Sequence, residues 1–488
     1  MVDINSPEIN SQNTKLLFAH QSAAVRFILA NGGCGGLAHD IGCGKTRTAL
    51  EIYAALRLSD PTLRLLVICP ISLINAAWGE DIKRWTNFSY VNMRKPENIT
   101  PDIYIINYEA FLSENRIEQI KFLLRSFDFM CVLDESSKIK NHSAATSKSI
   151  LSLRDLFKYR LVMSGTMAPN DETEYWPQVK FIRPGIVHEK FFPFRNYYFH
   201  LQRERGSRVE YSAGGFTSKA AARDMYSKGW HYAMTDVKRA ELINRISQVV
   251  HFARKADCLD LPEQMDEMRS VELTGKQRSL YTTMENELVI ELGNEMIAAP
   301  VALAKMLKLR EICSGFAIQE DGKNIAIGED PKLRELQNVL EEAGGSNGKN
   351  QAIIWANFRH EIRTIAAAIK DCVILDGETK DRDAVIEAFR SGKTRYLIAH
   401  PRSAGHGLTL VNCSVQVFYS LDYSYEYHEQ CRGRTHRPGQ VNKCTYIYLI
   451  CRDTIEEDIW EVLREKKEAV EVVDRWMKRK RIHQEVIT

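Results

Sequence analysis

The sequence has no excess of either charge, no apolar run long enough to cross a bilayer and no closely spaced cysteine pair. Its 66 Lys and Arg nearly balance 63 Asp and Glu, for a formal net charge of +3. Any nucleic-acid surface must therefore come from local clustering, because bulk basicity is absent. The 11 cysteines show no C-x-x-C pair or metal-ligand spacing, and Cys69, Cys131 and Cys372 sit inside apolar runs. Reduced thiols of a cytosolic protein are expected, not disulfides or zinc. The start, Met1-Val2-Asp3-Ile4-Asn5-Ser6, lacks a basic stretch followed by an apolar one. No secretory signal and no membrane span are expected.

What is present is a soluble globular composition, 44% hydrophobic and 26% charged. At 488 residues the chain is too long for one ordinary core, so two or three domains are expected.

The most informative stretch is Ala38-His39-Asp40-Ile41-Gly42-Cys43-Gly44-Lys45-Thr46. It follows a Gly-rich approach, Gly32-Gly33-Cys34-Gly35-Gly36, and opens into a helical run from Arg47. Gly42 and Gly44 let the backbone turn so that N–H groups point at a phosphate chain, and the helix start adds positive partial charge. Lys45 can reach the β- and γ-phosphates, and the Thr46 hydroxyl can ligate Mg²⁺. The leading Gly of the usual pattern is His39 here. Just upstream, Gln21 precedes a helical run from Ser22 to Leu29. Its amide is a candidate for reading adenine, since it both donates and accepts.

Apolar strands then alternate with helical stretches: Leu65–Pro70, Asp102–Tyr108, Phe129–Leu133 and Tyr159–Met163. This pattern predicts an α/β fold with a parallel sheet covered on both faces. Ligand residues in such sheets follow the carboxyl ends of strands. Asp134-Glu135 and Ser164-Gly165-Thr166 stand at such ends. Asp134 can hold Mg²⁺, and Glu135 can polarise the water that attacks the γ-phosphate.

From Asn170 to about Asp260 aromatics and arginines mix, as in Phe191–Phe199 followed by Arg203, Arg205 and Arg208. A mostly helical insertion is expected, as either a satellite core or a nucleic-acid contact. A second α/β pattern begins near Val271 with helical runs Gln277–Leu292 and Val301–Ile312. Strands are expected at 352–355, 372–375, 395–399, 415–419 and 444–450. This half carries Gln430-Cys431-Arg432-Gly433-Arg434-Thr435-His436-Arg437-Pro438-Gly439-Gln440. Arg434 and Arg437 can stabilise γ-phosphate charge as arginine fingers do. The chain ends in a helical reading from Thr454 to Ile482 with a basic cluster, Met477–Arg481. The expected division is a first lobe at 1–170, an insertion and linker at 171–260, a second lobe at 261–465 (helical part about 271–320) and a basic helix at 466–488.

In this order the motifs resemble the superfamily-two helicase-like proteins of the Swi/Snf type. His39–Thr46 resembles motif I. Val67–Pro70 with Trp78 and Trp85 is similar to motif Ia and the tryptophan pattern after it. Ile106–Glu109 resembles motif Ib, and Leu133–Asn141 motif II. Ser164–Thr166 is similar to motif III, Ile353–Phe358 to motif IV, Ser403–Leu410 to motif V and Gln430–Gln440 to motif VI. The resemblance implies two RecA-like lobes in tandem, ATP and Mg²⁺ as cofactors, and duplex or forked DNA as partner. It adds Gly407 and Gln430 to the nucleotide-binding residues. Nucleic-acid contact and coupling are implied at Pro70, Ser72, Asn107, Tyr108, Ser164, Thr166, Asn357, Phe358, His400 and Ser403. Such grips touch phosphates, so sequence preference should be weak and affinity should fall steeply with salt. Ser137 stands where the family usually has His, so coupling of ATP state to motif III can differ. The region between motif III and the second lobe is short, as in compact bacterial or phage members, which implies a bacterial or infected-host cytoplasm. Each lobe supplies half of the site, so a monomer should suffice. A strand-separating helicase on DNA or RNA, and a nucleotide-controlled clamp without productive turnover, are the alternative readings.

Overall fold

A computed structural model describes residues 17–95, 100–168, 171–205, 208–212, 231–294, 299–318, 324–344, 350–404 and 408–465, with 472 and 475. The chain separates into two compact units, Met1–Asp260 and Leu261–Thr488.

The first unit is built on strands β1 (Cys34–His39), β2 (Arg64–Cys69), β3 (Tyr90–Asn92), β4 (Ile103–Asn107), β5 (Phe129–Asp134), β6 (Tyr159–Ser164) and β10 (Val250–Ala253). They lie in the order β10-β1-β6-β5-β2-β4-β3, and every pairing is parallel. Every residue of β4 and β5 is buried, which is why these strands read as continuous apolar runs. Alternate residues feed two cores. Leu65, Val67, Met130 and Val132 pack on one face with the helices Ala19–Ala30 (α1) and Lys45–Ser59 (α2). Leu66, Ile68, Cys131 and Leu133 face the other way.

That second core also holds Trp176, Val179, Phe194, Tyr198, Leu242 and Ile246. The segment after Asn170 thus completes the first lobe's hydrophobic core. It carries the helices Tyr175–Ile182, Phe191–Tyr198 and Asp236–Ile246, as expected. It also carries two features that the sequence reading lacks. One is an antiparallel sheet of β7 (His200–Arg205), β8 (Arg208–Ser212) and β9 (His231–Ala233), in the order β8-β7-β9. The other is β10 itself, which flanks β1.

Gly35 and Gly36 lie inside β1, where the sequence reading has only an approach to the loop. A Cβ on Gly35 would stand 2.3 Å from Ile28 Cδ1, and one on Gly36 would stand 2.9 Å from Val250 Cγ2. Their role is close packing of α1 and β10, not a turn.

In the second unit β11 (Gln264–Val271), β14 (Ala352–Trp355), β15 (Cys372–Leu375), β16 (Tyr396–Ala399), β17 (Val415–Phe418) and β18 (Cys444–Cys451) form a parallel sheet ordered β11-β18-β17-β14-β16-β15. β12 (Phe316–Ile318) and β13 (Asn324–Ala326) form a hairpin. The helices Gly275–Asn294 and Ala299–Cys313 stand where helical runs are expected. The last described helix is Ile455–Arg464. Most of the expected basic helix at 466–488, including Met477–Arg481, lies outside the described residues. No helix among the described residues is long and apolar enough to cross a membrane.

Candidate nucleotide site and its supports

The loop between β1 and α2 has the backbone that its glycines predict. Gly42 and Gly44 take φ of 94° and 73°, a region that side chains disfavour. Gly44 is the N-cap of α2, and no acidic residue occupies the first turn. Lys45 Nζ donates to the carbonyl of His39 at 2.8 Å and to that of Asp40 at 3.4 Å, folding the ammonium over the loop. Thr46 is half-buried beside it. Helix N–H groups, a half-buried ammonium and no competing carboxylate in the first turn make a donor set suited to a polyphosphate.

α1 props this loop from behind. His20 Nε2 donates to the Cys43 carbonyl at 2.9 Å. Gln21 Nε2 donates to the Gly44 carbonyl at 3.1 Å, and its Oε1 accepts from Phe18 N–H at 3.0 Å. Both ends of the Gln21 amide are thus engaged by backbone, which fixes its orientation and leaves one N–H and one oxygen lone pair for a ligand such as adenine.

His39 is wholly buried at the end of β1. Its Nε2 meets Nδ1 of His251, on β10, at 2.9 Å. The backbone is latched alongside: Asp40 N–H donates to the Ala253 carbonyl at 3.0 Å, and Lys255 N–H donates to Asp40 Oδ2 at 2.8 Å. Burial, then the Lys45 charge, depress His39 from its ordinary 6.5 to about 3. The native state therefore needs the neutral ring, and its contribution to stability is complete above pH 6.5 and lost as pH falls toward 3. Between pH 6.5 and 5 the loss from this group is about 2 kcal/mol. Chemical denaturation at pH 5 and 7 is expected to show a smaller acid loss in His39→Gln than in the unsubstituted chain. Equal losses would exclude His39 as the titrating group.

Asp134 ends β5 with its carboxylate buried. Oδ2 accepts from the indole N–H of Trp78 at 2.8 Å, and Oδ1 accepts from Glu135 N–H at 3.0 Å. Burial, with Glu135 adjacent, pushes the Asp134 carboxyl well above the usual carboxylate range. Asp134, with the Thr46 hydroxyl, is a residue that could hold a divalent cation. Glu135 is half-buried and takes a left-handed φ of 51°. A non-glycine residue there is strained, and such strain clusters at functional sites.

The nucleic-acid expectations divide by exposure. Thr166 is exposed and Ser72 half-buried, whereas Pro70, Asn107 and Ser164 are buried. Ser164 Oγ accepts from Thr166 N–H at 3.1 Å. Tyr108 differs from its expected role. Its side chain points inward, and its hydroxyl donates to the Asp134 carbonyl at 2.9 Å. Tyr108 and Trp78 together hold the end of β5. Sequence reasoning places Trp78 only in a tryptophan pattern, because a bond to a residue 56 positions away leaves no local signal.

In the second unit Asn357 N–H donates to Glu361 Oε2 at 2.9 Å, and its amide donates to the Ser420 carbonyl at 2.8 Å. The Phe358 ring faces the Arg310 guanidinium at 5.2 Å. His400 Nδ1 accepts from Arg402 N–H at 3.1 Å, and Ser403 N–H donates to the His400 carbonyl at 3.0 Å. Arg434 is buried, with bonds to the carbonyls of Gln430 at 2.8 Å and Leu408 at 3.2 Å. Arg437 is half-buried, and its Nη1 donates to Thr409 Oγ1 at 3.0 Å. Gln430 donates to Glu426 at 3.2 Å, while its buried Oε1 has no hydrogen-bond partner among the described residues. Gly407 lies outside the described residues.

The SNF2-related domain matches residues 20–316, and the helicase conserved C-terminal domain matches residues 331–439. The chain belongs to the SNF2-related family. Protein p41 of Acyrthosiphon pisum secondary endosymbiont phage 1 is 24% identical, over 90% of this chain and 94% of that protein. A Caenorhabditis elegans homologue of SWI/SNF-related matrix-associated actin-dependent regulator of chromatin subfamily A-like protein 1 is also 24% identical, over 92% of this chain and 61% of its own length. Among solved structures, the Sulfolobus solfataricus SWI2/SNF2 ATPase core in complex with dsDNA is 21% identical, with 95% and 93% of the two chains covered and a TM-score of 0.43. This SNF2-related chain is thus a helicase-like ATPase by class. It spans 94% of the phage relative's length and about three-fifths of the nematode one's.

Proposed function

We propose that the chain hydrolyses ATP to drive movement along, or remodelling of, duplex or branched DNA. The observation that carries this reading is the pairing, in one sheet, of the Gly42–Thr46 loop after β1 with the buried Asp134 and strained Glu135 after β5. Lys45 and the N–H groups of α2 would hold the phosphates, while Thr46 and Asp134 would hold the metal. Bound Mg²⁺ would draw charge from the β- and γ-phosphate oxygens. Glu135 accepts a proton from the attacking water. Arg434 and Arg437 are assigned to the charge that develops on the γ-phosphate.

The test is steady-state ATP turnover with no nucleic acid, duplex DNA, forked DNA, single-stranded DNA and RNA, with Lys45→Ala as control. Stimulation by duplex or forked DNA, abolished in Lys45→Ala, is expected. Stimulation by single strands or RNA alone points instead to strand separation. Turnover that survives in Lys45→Ala overturns the scheme.

A further inference from the structure

The loop after β5 and the loop after β6 are joined by one side chain, and that side chain belongs to neither. Gln178 lies on the helix Tyr175–Ile182 and is wholly buried. Its Oε1 accepts from the Ser136 hydroxyl at 2.6 Å. Its Nε2 donates to the Met167 carbonyl at 2.5 Å and to the Glu174 carbonyl at 2.9 Å. Both amide hydrogens and the amide oxygen are therefore used. Ser136 is also wholly buried and directly follows Glu135. Met167 directly follows the exposed Thr166.

We propose that Gln178 is a positioning residue that couples the Thr166 segment to Glu135 through the Ser136–Gln178–Met167 bridge. This rests on the functional reading above. A planar amide fixes the separation of the two groups that it joins. Water cannot replace either bond at a fully buried position, so moving one loop away from the other leaves a buried polar group unpaired. A shift of Thr166 therefore pulls on Ser136, and the pull reaches a residue already held in a left-handed conformation. The bridge thereby helps to hold Glu135 in its left-handed conformation when the Thr166 segment is in place.

The test uses the full chain, with ATP turnover measured without nucleic acid and with saturating duplex DNA, alongside melting temperature. Gln178→Met keeps the side chain's length and removes its polar atoms. It is expected to lower the DNA-stimulated kcat by about 10- to 100-fold, with KM for ATP within about twofold because the phosphate loop is untouched. Adding Ser136→Ala removes the stranded hydroxyl and leaves the Met167 and Glu174 carbonyls without the Gln178 donor, so the double variant is expected to recover part of the lost melting temperature but not the stimulated kcat. A double variant whose stimulated kcat returns with its melting temperature would show a merely structural role and overturn the coupling. So would a folded single variant with undiminished stimulation. If the single variant does not fold, the double variant decides alone. A wild-type chain without stimulated turnover overturns the proposed function and the coupling with it.

Discussion

Turnover of ATP by Glu135→Gln is expected to fall by about 10²–10⁴-fold, with ATP still bound. The amide keeps the size and hydrogen-bonding reach of the carboxylate and loses its ability to take a proton. Nothing that shapes the phosphate loop is disturbed: Lys45 bonds to the His39 and Asp40 carbonyls, and Gln21 bonds to the Gly44 carbonyl. Asp134 keeps its bonds from Trp78 and from the backbone N–H of residue 135. Single-turnover hydrolysis and equilibrium binding of a fluorescent ATP analogue measure the two quantities separately. A hydrolysis rate within tenfold of wild type would assign the base elsewhere. Loss of binding would mean that Glu135 supports the loop and not the chemistry.

The largest effect on stability is expected in the second unit, at Lys332. Its ammonium is wholly buried, paired with the carboxylate of Glu456 and bonded to the Tyr419 carbonyl at 3.0 Å. Glu456 is itself only 2% exposed, and its Oε2 accepts from Cys451 N–H at 2.9 Å. Removing one partner of such a pair strands the other charge in a low-dielectric interior. Lys332→Met is accordingly expected to cost about 3–5 kcal/mol in denaturant unfolding. Lys332→Met combined with Glu456→Gln is expected to regain part of that loss, because the Glu456 charge is removed with its partner while the buried Glu361 carboxyl still loses the nearby ammonium. A single variant that loses under about 1 kcal/mol, the range of an exposed pair, would contradict the burial seen here. Cys313 and Cys451 lie beside Glu456, with ligand atoms within 4.8 Å of one another. The Lys332 ammonium already occupies that carboxylate, so the group is an ion-pair environment and not a cation site.

The central strands of both sheets are legible in the sequence for one physical reason. β2, β4, β5, β16 and β18 are covered on both faces, so almost every side chain is apolar and the run stands out. The edge strand β15 keeps an apolar run, but β10 and β11 lack that signal. β11 reads Gln264-Met265-Asp266-Glu267-Met268-Arg269-Ser270-Val271, and most of it faces solvent, so its charges hide it. β10 has only four residues, one of them the histidine that meets His39. The candidate site follows the same rule. Lys45, Asp134 and Glu135 are readable because loop chemistry is local to strand ends. Trp78, Tyr108, His251 and Gln178 are not, because each acts on a residue far away along the chain. Tyr108 shows the limit most plainly: its place in a motif suggests contact with DNA, and its ring instead lies in the core.

Placing β10 at the flank of β1 also sets a schedule for synthesis. β6 and β10 both pair with β1, yet about 85 residues separate Ser164 from Val250. A nascent chain that has released everything through the Asp134-Glu135 and Thr166 segments still offers β1 as an open edge, with Gly35 and Gly36 uncovered. At about 5–20 residues per second the ribosome needs roughly 4–17 s more to deliver the covering strand. During that interval the strand that leads into the phosphate loop is available to other unpaired strands. Chaperone demand during expression should therefore be concentrated on chains arrested between these two strands, and should end once Ala253 has left the exit tunnel.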